Sequence, residues 1–356
     1  MHGGNVWQAE QFFGIPVHKL MDFSANINPL GPSPRAIEAV QRALEYIKFY
    51  PEPQAETLLK ELAKQWSLPQ DRLILGNGAA ELIYALGRLL TPKRVLLPVP
   101  TFSEYAASFA ASEQVPILLD RNEDFSLKPE QLYSLLEPED LLIICNPNNP
   151  TGQLVSKDML LVLVNQAKAK GAWVMLDEAF MDFVYPQQSL LRELSAYPNL
   201  IIVRSLTKIY ALPGLRLGYL AAAPQIIDEL YKNLPPWRVN VLAQVAGLAS
   251  LQDQIYLSQT LALVNQQRQY LIDGFNAIPG LKALPAAANF ILVDCRQAGC
   301  TAAAIRDYLA PRGILVRLCD NFQGLDKYFF RVAVRNQEQN HILLTELQQF
   351  IASHGK

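Results

Sequence analysis

Lys208 closes the run Ser205-Leu206-Thr207-Lys208, behind apolar residues 200–203 and ahead of a turn at Pro213-Gly214. A lysine there stands at the mouth of a sheet, not on a solvated helix face. Its amine can condense with an aldehyde and so enter catalysis covalently. Asp177 ends a second apolar run, Ala-Trp-Val-Met-Leu, and Arg216 follows the lysine by eight positions. A carboxylate buried at a strand end is costly unless it faces a cation. A protonated pyridine nitrogen is such a cation; a helix N-cap is the plainer use of the same acid. An arginine is suited to clamping a phosphate. The three residues together match an aldehyde-bearing, phosphorylated pyridine cofactor, which puts the chemistry at a carbanion.

Two further segments carry polar groups behind apolar runs. Asn146-Pro147-Asn148-Asn149-Pro150-Thr151-Gly152 lies one strand before Asp177. Alone such a cluster is a turn, but from this place Asn149 can reach a cofactor oxygen. Gly76-Asn77-Gly78-Ala79-Ala80-Glu81 ends a strand and opens a helix, whose free backbone N–H groups form an anion site. It has neither the spacing of a dinucleotide fingerprint nor the Lys-Ser/Thr of a nucleotide-binding loop, which argues against both ligands.

The elements that must position these residues are legible as short apolar runs alternating with amphipathic stretches between about 54 and 270. The runs are Arg94–Leu97, Val115–Leu119, Leu141–Cys145, Ala172–Leu176, Leu200–Val203 and Leu217–Ala221. Being almost continuously apolar, they read as strands covered on both faces. Met159–Lys170 between them repeats with helical period. This alternation predicts an α/β layer with a mostly parallel sheet, ligands lying beyond the strand ends. The last 85 residues change character. Strands are expected at Asn289–Asp294, Ile314–Leu318 and Tyr328–Val334, with helices at Thr301–Leu309 and His341–Phe350. A long helix, Ile255–Phe275, joins the two parts. The first 50 residues hold one helix, Arg35–Tyr46, too little for a core of their own. The expected organisation is a large domain, 51–270, and a small α+β domain made of 1–50 and 271–356.

Composition narrows the class. The chain has 356 residues, half of them hydrophobic, with 31 basic against 33 acidic side chains and a formal charge of -2. Its mean hydropathy is +0.08. This balance gives no electrostatic footprint for nucleic acid or anionic lipid. A DNA-binding regulator built on the same fold would need an added reading module, for which there is no room ahead of the core and no basic stretch. Cys145, Cys295, Cys300 and Cys319 form no metal-type pair, and the two in apolar runs read as reduced core thiols. Without a leader-like start or a ~20-residue apolar span, a soluble cytoplasmic protein is expected.

Taken together, Ser-Leu-Thr-Lys…Gly-Leu-Arg-Leu-Gly-Tyr, Asn-Pro-Asn-Asn-Pro-Thr-Gly and Asp-Glu-Ala-Phe resemble the fold-type-I aminotransferase superfamily, which depends on pyridoxal phosphate. The resemblance covers nearly the whole chain, in matching order and spacing. It implies that Lys208 is the Schiff-base lysine and Asp177 the partner of the pyridine nitrogen. Asn149 would contact the phenolic oxygen. Ser205, Arg216 and the backbone of Ala79 and Ala80 would hold the phosphate, and Phe102 would stack on the ring. Tyr50, in Tyr-Pro-Glu-Pro, resembles the tyrosine that reaches the neighbouring subunit's cofactor, which implies a homodimer. Arg331, in Phe-Phe-Arg-Val-Ala-Val, matches the arginine that binds a substrate α-carboxylate.

The finer resemblance is carried by the amino terminus. His2-Gly3-Gly4-Asn5 and Met21-Asp22-Phe23-Ser24-Ala25-Asn26-Ile27-Asn28-Pro29, with Pro-Thr-Phe-Ser-Glu-Tyr and Pro-Pro-Trp-Arg-Val-Asn, are similar to threonine-phosphate decarboxylases of cobalamin biosynthesis. Histidinol-phosphate aminotransferases, the neighbouring group and the rival reading, typically carry a glutamate where this chain has Ile27. Many relatives also have tyrosine at the position of Phe180; its absence removes a donor from the phenolic oxygen and raises the proton affinity of the lysine–cofactor imine. For a distal phosphate the candidates are Arg317, His2, Asn5 and Asn26. Glu178 and Asp182 are expected to face water or cap the next element. Arg335 could join the substrate site or form a surface ion pair.

Overall fold

The computed structural model describes residues 3–354. The amino-terminal segment contributes a helix, Val6–Phe13, and a two-residue strand β1, Met21–Asp22. Seven strands then build the main sheet: β2 (Leu73–Gly76), β3 (Arg94–Val99), β4 (Glu113–Leu118), β5 (Leu141–Cys145), β6 (Trp173–Asp177), β7 (Leu200–Ser205) and β8 (Gly218–Ala221). Their order is β2-β8-β7-β6-β5-β3-β4. All neighbours are parallel except β8, which runs against both β7 and β2. The α/β class and the mostly parallel sheet are therefore as the apolar runs predict.

Strand alternation divides two cores. Leu142, Ile144, Val174, Leu176 and Ile202 point into one layer, and Ile143, Cys145, Met175, Ile201 and Val203 into the other. Both layers are helical, so β5 and β7 are buried at every residue. The edge strand β4 departs from the double-cover expectation: Glu113, Pro116 and Leu118 are exposed and the residues between them half-buried. Pro116 is tolerated there because an edge strand leaves alternate N–H groups unpaired.

Beyond the long helix Gln254–Ala277, strands β9 (Lys282–Ala283) and β10 (Phe290–Asp294) are followed by β11 (Ile314–Leu315), β12 (Arg317–Leu318) and β13 (Phe329–Ala333). The expected strand at 314–318 is thus split. β11 pairs with β1, and β12 joins the antiparallel sheet β12-β13-β10-β9. Through β1 and Phe23 the amino-terminal segment shares the carboxyl-terminal core. The helix Pro34–Ala43 behaves differently from the expectation for residues 1–50. It packs on Val241–Leu251, and Ala36 is buried in the main core.

Candidate active site

The carboxyl ends of β5, β6 and β7 lie side by side, with Cys145 opposite Asp177 and Asp177 opposite Val203. Gly218 is registered with both Ser205 and Gly76, which brings the loop after β2 level with the end of β7. A cavity of about 230 Å³ opens over these ends. Of the residues expected from sequence, Ala79, Ala80, Phe102, Asn149, Asp177 and Ser205 line it, as do Lys208, Arg216, Asn26, Arg317 and Arg331.

Lys208 sits in the short helix Leu206–Ile209 directly after β7. Burial, then Arg331 and Arg216, push its amine down to about 8, against the pull of Asp177. Such an amine is neutral, hence nucleophilic, far nearer neutral pH than a free lysine. Asn28 braces the turn. Its N–H donates to the Lys208 carbonyl at 3.1 Å, and its side chain donates to Ile209 O, Tyr256 and Thr260 at 2.7–2.8 Å. The sequence signals Asn28 only as an asparagine between Ile27 and Pro29, which does not reveal this task.

Asp177 is held by two donors, the Tyr105 hydroxyl at 2.6 Å and the Ala179 N–H at 2.9 Å. Burial raises its pKa, opposed by those donors and by Lys208. Its carboxylate makes no ion pair within the described residues. Tyr105 also meets the Phe102 ring edge-on at 5.5 Å. Nothing local in Pro-Thr-Phe-Ser-Glu-Tyr signals this role for Tyr105.

Around the anion end, Ala79 and Ala80 begin the helix Ala79–Leu89, so their N–H groups have no intrahelical acceptor. Gly78 has φ +86° and a Cβ there would lie 2.5 Å from Arg216 Nη2, so only glycine lets this guanidinium reach the loop. Ser205 Oγ is 2.8 Å from Thr207 Oγ1. Buried acid, depressed lysine, bare helix N–H groups and an arginine at one end fit a pyridine aldehyde carrying a phosphate. Lys208 would take the aldehyde, Asp177 the ring nitrogen, and Arg216 with Ser205, Ala79 and Ala80 the phosphate.

On the other wall, Arg317 and Arg331 are cross-strand partners on β12 and β13, and both are buried. Arg331 donates to Ser24 O at 3.0 Å and to Asn149 Oδ1, while its Nε has no partner. Occupying Asn149 Oδ1 leaves the Nδ2 end of that amide for an acceptor. Arg317 donates to Asn321 at 2.9 Å and lies 5.2 Å over Phe322. Asn26 Oδ1 is buried without a partner.

Other expected residues are placed elsewhere. Asn5 caps Val6–Phe13, its Oδ1 accepting from Gln8 N at 3.1 Å. It lines a neighbouring cavity of about 440 Å³ and not the one over Lys208. Tyr50 is 81% exposed, against Trp237, and also outside the pocket. His2 lies outside the described residues. Arg335 bonds Gln339 and does not line the pocket. The expectation for Glu178 and Asp182 is corrected: both pair with the fully buried Arg204, because position 178 points to the opposite layer from 177.

Fold and pocket together define a pyridoxal-phosphate-dependent enzyme of fold type I. The chain belongs to the aminotransferase class I and II family, whose model matches residues 18–347. It is 34% identical over 353 residues to the threonine-phosphate decarboxylase of Salmonella typhimurium, covering 98% of this chain and 96% of that one. It is 36% identical over 342 residues to the histidinol-phosphate aminotransferase of Symbiobacterium thermophilum, covering 94% and 91%. The crystal structure of the histidinol-phosphate aminotransferase from Clostridium acetobutylicum superposes with a TM-score of 0.88 at 30% identity, covering 94% of this chain and all of that one.

Proposed function

We propose that this enzyme decarboxylates L-threonine O-3-phosphate to (R)-1-amino-2-propanol O-2-phosphate, a reaction of cobalamin biosynthesis in the cytoplasm. The observation that carries the reading is the pair Arg317–Arg331, two buried guanidiniums directly opposite one another on one face of the pocket. A small substrate with a carboxylate and a phosphate a few bonds apart meets both. Histidinol phosphate has no carboxylate for the second, which in an aminotransferase would serve only the keto acid of the other half-reaction.

When bound, pyridoxal phosphate supplies an electron sink for the pair released as a bond to the substrate α-carbon breaks. The bond that breaks is the one held perpendicular to the cofactor ring, so geometry selects the reaction. Arg331 would bind the substrate carboxylate and Arg317, with Asn26, the distal phosphate, and their placement would select the bond that breaks. Lys208 would hold the cofactor through its aldehyde until a substrate amine replaces it. Lys208, or a nearby acid, would return a proton to the α-carbon in place of the departing carbon dioxide. Phe102 covers one face of the ring. Tyr50, in an exposed apolar face with Ile47, Phe49 and Trp237, reaches the neighbouring subunit's phosphate site in a homodimer; such a face on a soluble monomer would be unusual.

A single-turnover experiment with each phosphorylated substrate tests the reading. Threonine phosphate should release carbon dioxide with no keto acid present while the cofactor spectrum returns to its starting form. Conversion of the cofactor to pyridoxamine phosphate by histidinol phosphate, without carbon dioxide from threonine phosphate, would replace it with the aminotransferase reading. That alternative is kept because aminotransferases are as similar in sequence as the decarboxylases.

A further inference from the structure

The structure assigns Tyr105 as the positioning residue for Asp177: its hydroxyl pins one carboxylate oxygen, fixing the orientation and charge that the acid offers the ring nitrogen of pyridoxal phosphate. The inference rests on the cofactor class and is independent of which bond the enzyme breaks.

Tyr105 comes from the helix Glu104–Ser108, behind β3, and is fully buried. Its Oη lies 2.6 Å from Asp177 Oδ2, while Ala179 N–H holds Oδ1 at 2.9 Å. The two donors grip different oxygens, so the carboxylate cannot rotate without breaking one. Each oxygen keeps a lone pair for a further donor. Burial and the adjacent carboxylate push the Tyr105 hydroxyl well above its usual value, so it remains protonated and donates. Donation to the charged form of an acid favours that form.

The surroundings leave this task to few other groups. Cys145, the cross-strand partner of Asp177, donates its thiol to Pro147 O at 3.3 Å. Burial pushes that thiol up, so it adds no negative charge. Arg204 also acts on Asp177 through space, but its guanidinium is engaged with Glu178 and Asp182 on the other face of the sheet. Lys208 acts on Asp177 through space, but condensation with the aldehyde commits its nitrogen elsewhere. Tyr105 also touches Phe102, so one residue braces both the acid and the aromatic cover.

The test uses Tyr105→Phe and two cofactors: pyridoxal phosphate, and its analogue with carbon in place of the ring nitrogen. Apo-enzyme is titrated with each, following intrinsic fluorescence. Loss of a hydrogen bond to a charged group should weaken pyridoxal phosphate by about ten- to a hundredfold and leave the carbon analogue within about twofold. In the holoenzyme, the ¹⁵N shift of labelled cofactor should move towards the unprotonated value. Equal weakening of both cofactors would show a merely structural residue, and no weakening would show an idle one; either overturns the assignment. If Tyr105→Phe does not fold, difluorotyrosine at position 105 keeps the ring and strengthens the donor. It should then change affinity for the nitrogen-bearing cofactor alone, and no difference between the two cofactors overturns the assignment.

Discussion

Asp177 and Glu178 are neighbours in sequence and are both buried carboxylates, yet they stand in opposite electrostatic situations. Burial raises the pKa of each. Glu178 is answered in full: Arg204 at 2.8 Å, the Ser189 hydroxyl and the Leu190 N–H at 3.1 Å. Arg204 in turn takes Asp182 and lies 5.1 Å over Trp66. Asp177 has two neutral donors and no cation in contact. On one face of the sheet each buried carboxylate has a cation in contact, and on the other Asp177 has none among the described residues. An open balance lowers stability and is kept where a ligand will close it.

The sharpest way to break the comparison is to neutralise each acid in turn. Asp177→Asn should lower kcat/KM by about 10²–10³-fold, the usual effect of removing a preorganised electrostatic partner. The apo-protein should melt no lower than the parent, since an amide there needs no cation. Glu178→Gln should do the reverse. Arg204 would keep Asp182 as its carboxylate partner, and losing the charged acceptor at position 178 should cost about 1.5–3 kcal/mol, while activity per folded molecule stays within about twofold. Thermal melts of apo-protein and kinetics on the soluble fraction check both. If both variants lose stability alike, the two faces are not different in kind.

The two buried cations extend the contrast. Two carboxylates push Arg204 up despite burial, whereas Lys208 is driven down to about 8 by burial, Arg331 and Arg216. The neutral amine is the one that condenses with an aldehyde. The rate at which apo-enzyme takes up pyridoxal phosphate should therefore rise about tenfold per pH unit below 8 and level off above it. Stopped-flow absorbance across pH 6–9.5 measures this. A rate still climbing beyond pH 9.5 would mean that the cations do not act on Lys208 as their positions require.

How legible this was differs between the faces for a physical reason. Strand runs, Lys208, Asp177 and the glycine loop announce themselves because catalysis and close backbone approach restrict residue types. Glu178 and Asp182 look solvated from sequence because a polar side chain past a strand shows no partner, and Arg204 stands just beyond the apolar run 200–203. Tyr105 reaches Asp177 across 72 residues of chain, and Asn28 reaches Lys208, Ile209, Tyr256 and Thr260 across 180 or more. No local pattern encodes such contacts; the sheet order creates them. The split of residues 314–318 between two sheets likewise depends on pairing with Met21–Asp22, far outside any local window.

Phe180 gives the smallest test, at the seam of the two faces. Its ring is nearly buried, packs edge-on to Phe290 at 4.9 Å and lines the cofactor pocket. Phe180→Tyr adds one hydroxyl with the rest of the ring unchanged. If that hydroxyl reaches the phenolic oxygen, which Asn149 otherwise serves, it favours the deprotonated form of the lysine-bound cofactor. The midpoint of its visible absorbance titration should then fall, by about one pH unit or less, about 1.4 kcal/mol. On the proposal that Arg317 and Arg331, not this donor, orient the substrate, the ratio of carbon dioxide release to pyridoxamine phosphate formation should hardly move. A changed ratio with an unchanged midpoint would transfer control of the reaction from the arginine wall to the aromatic one.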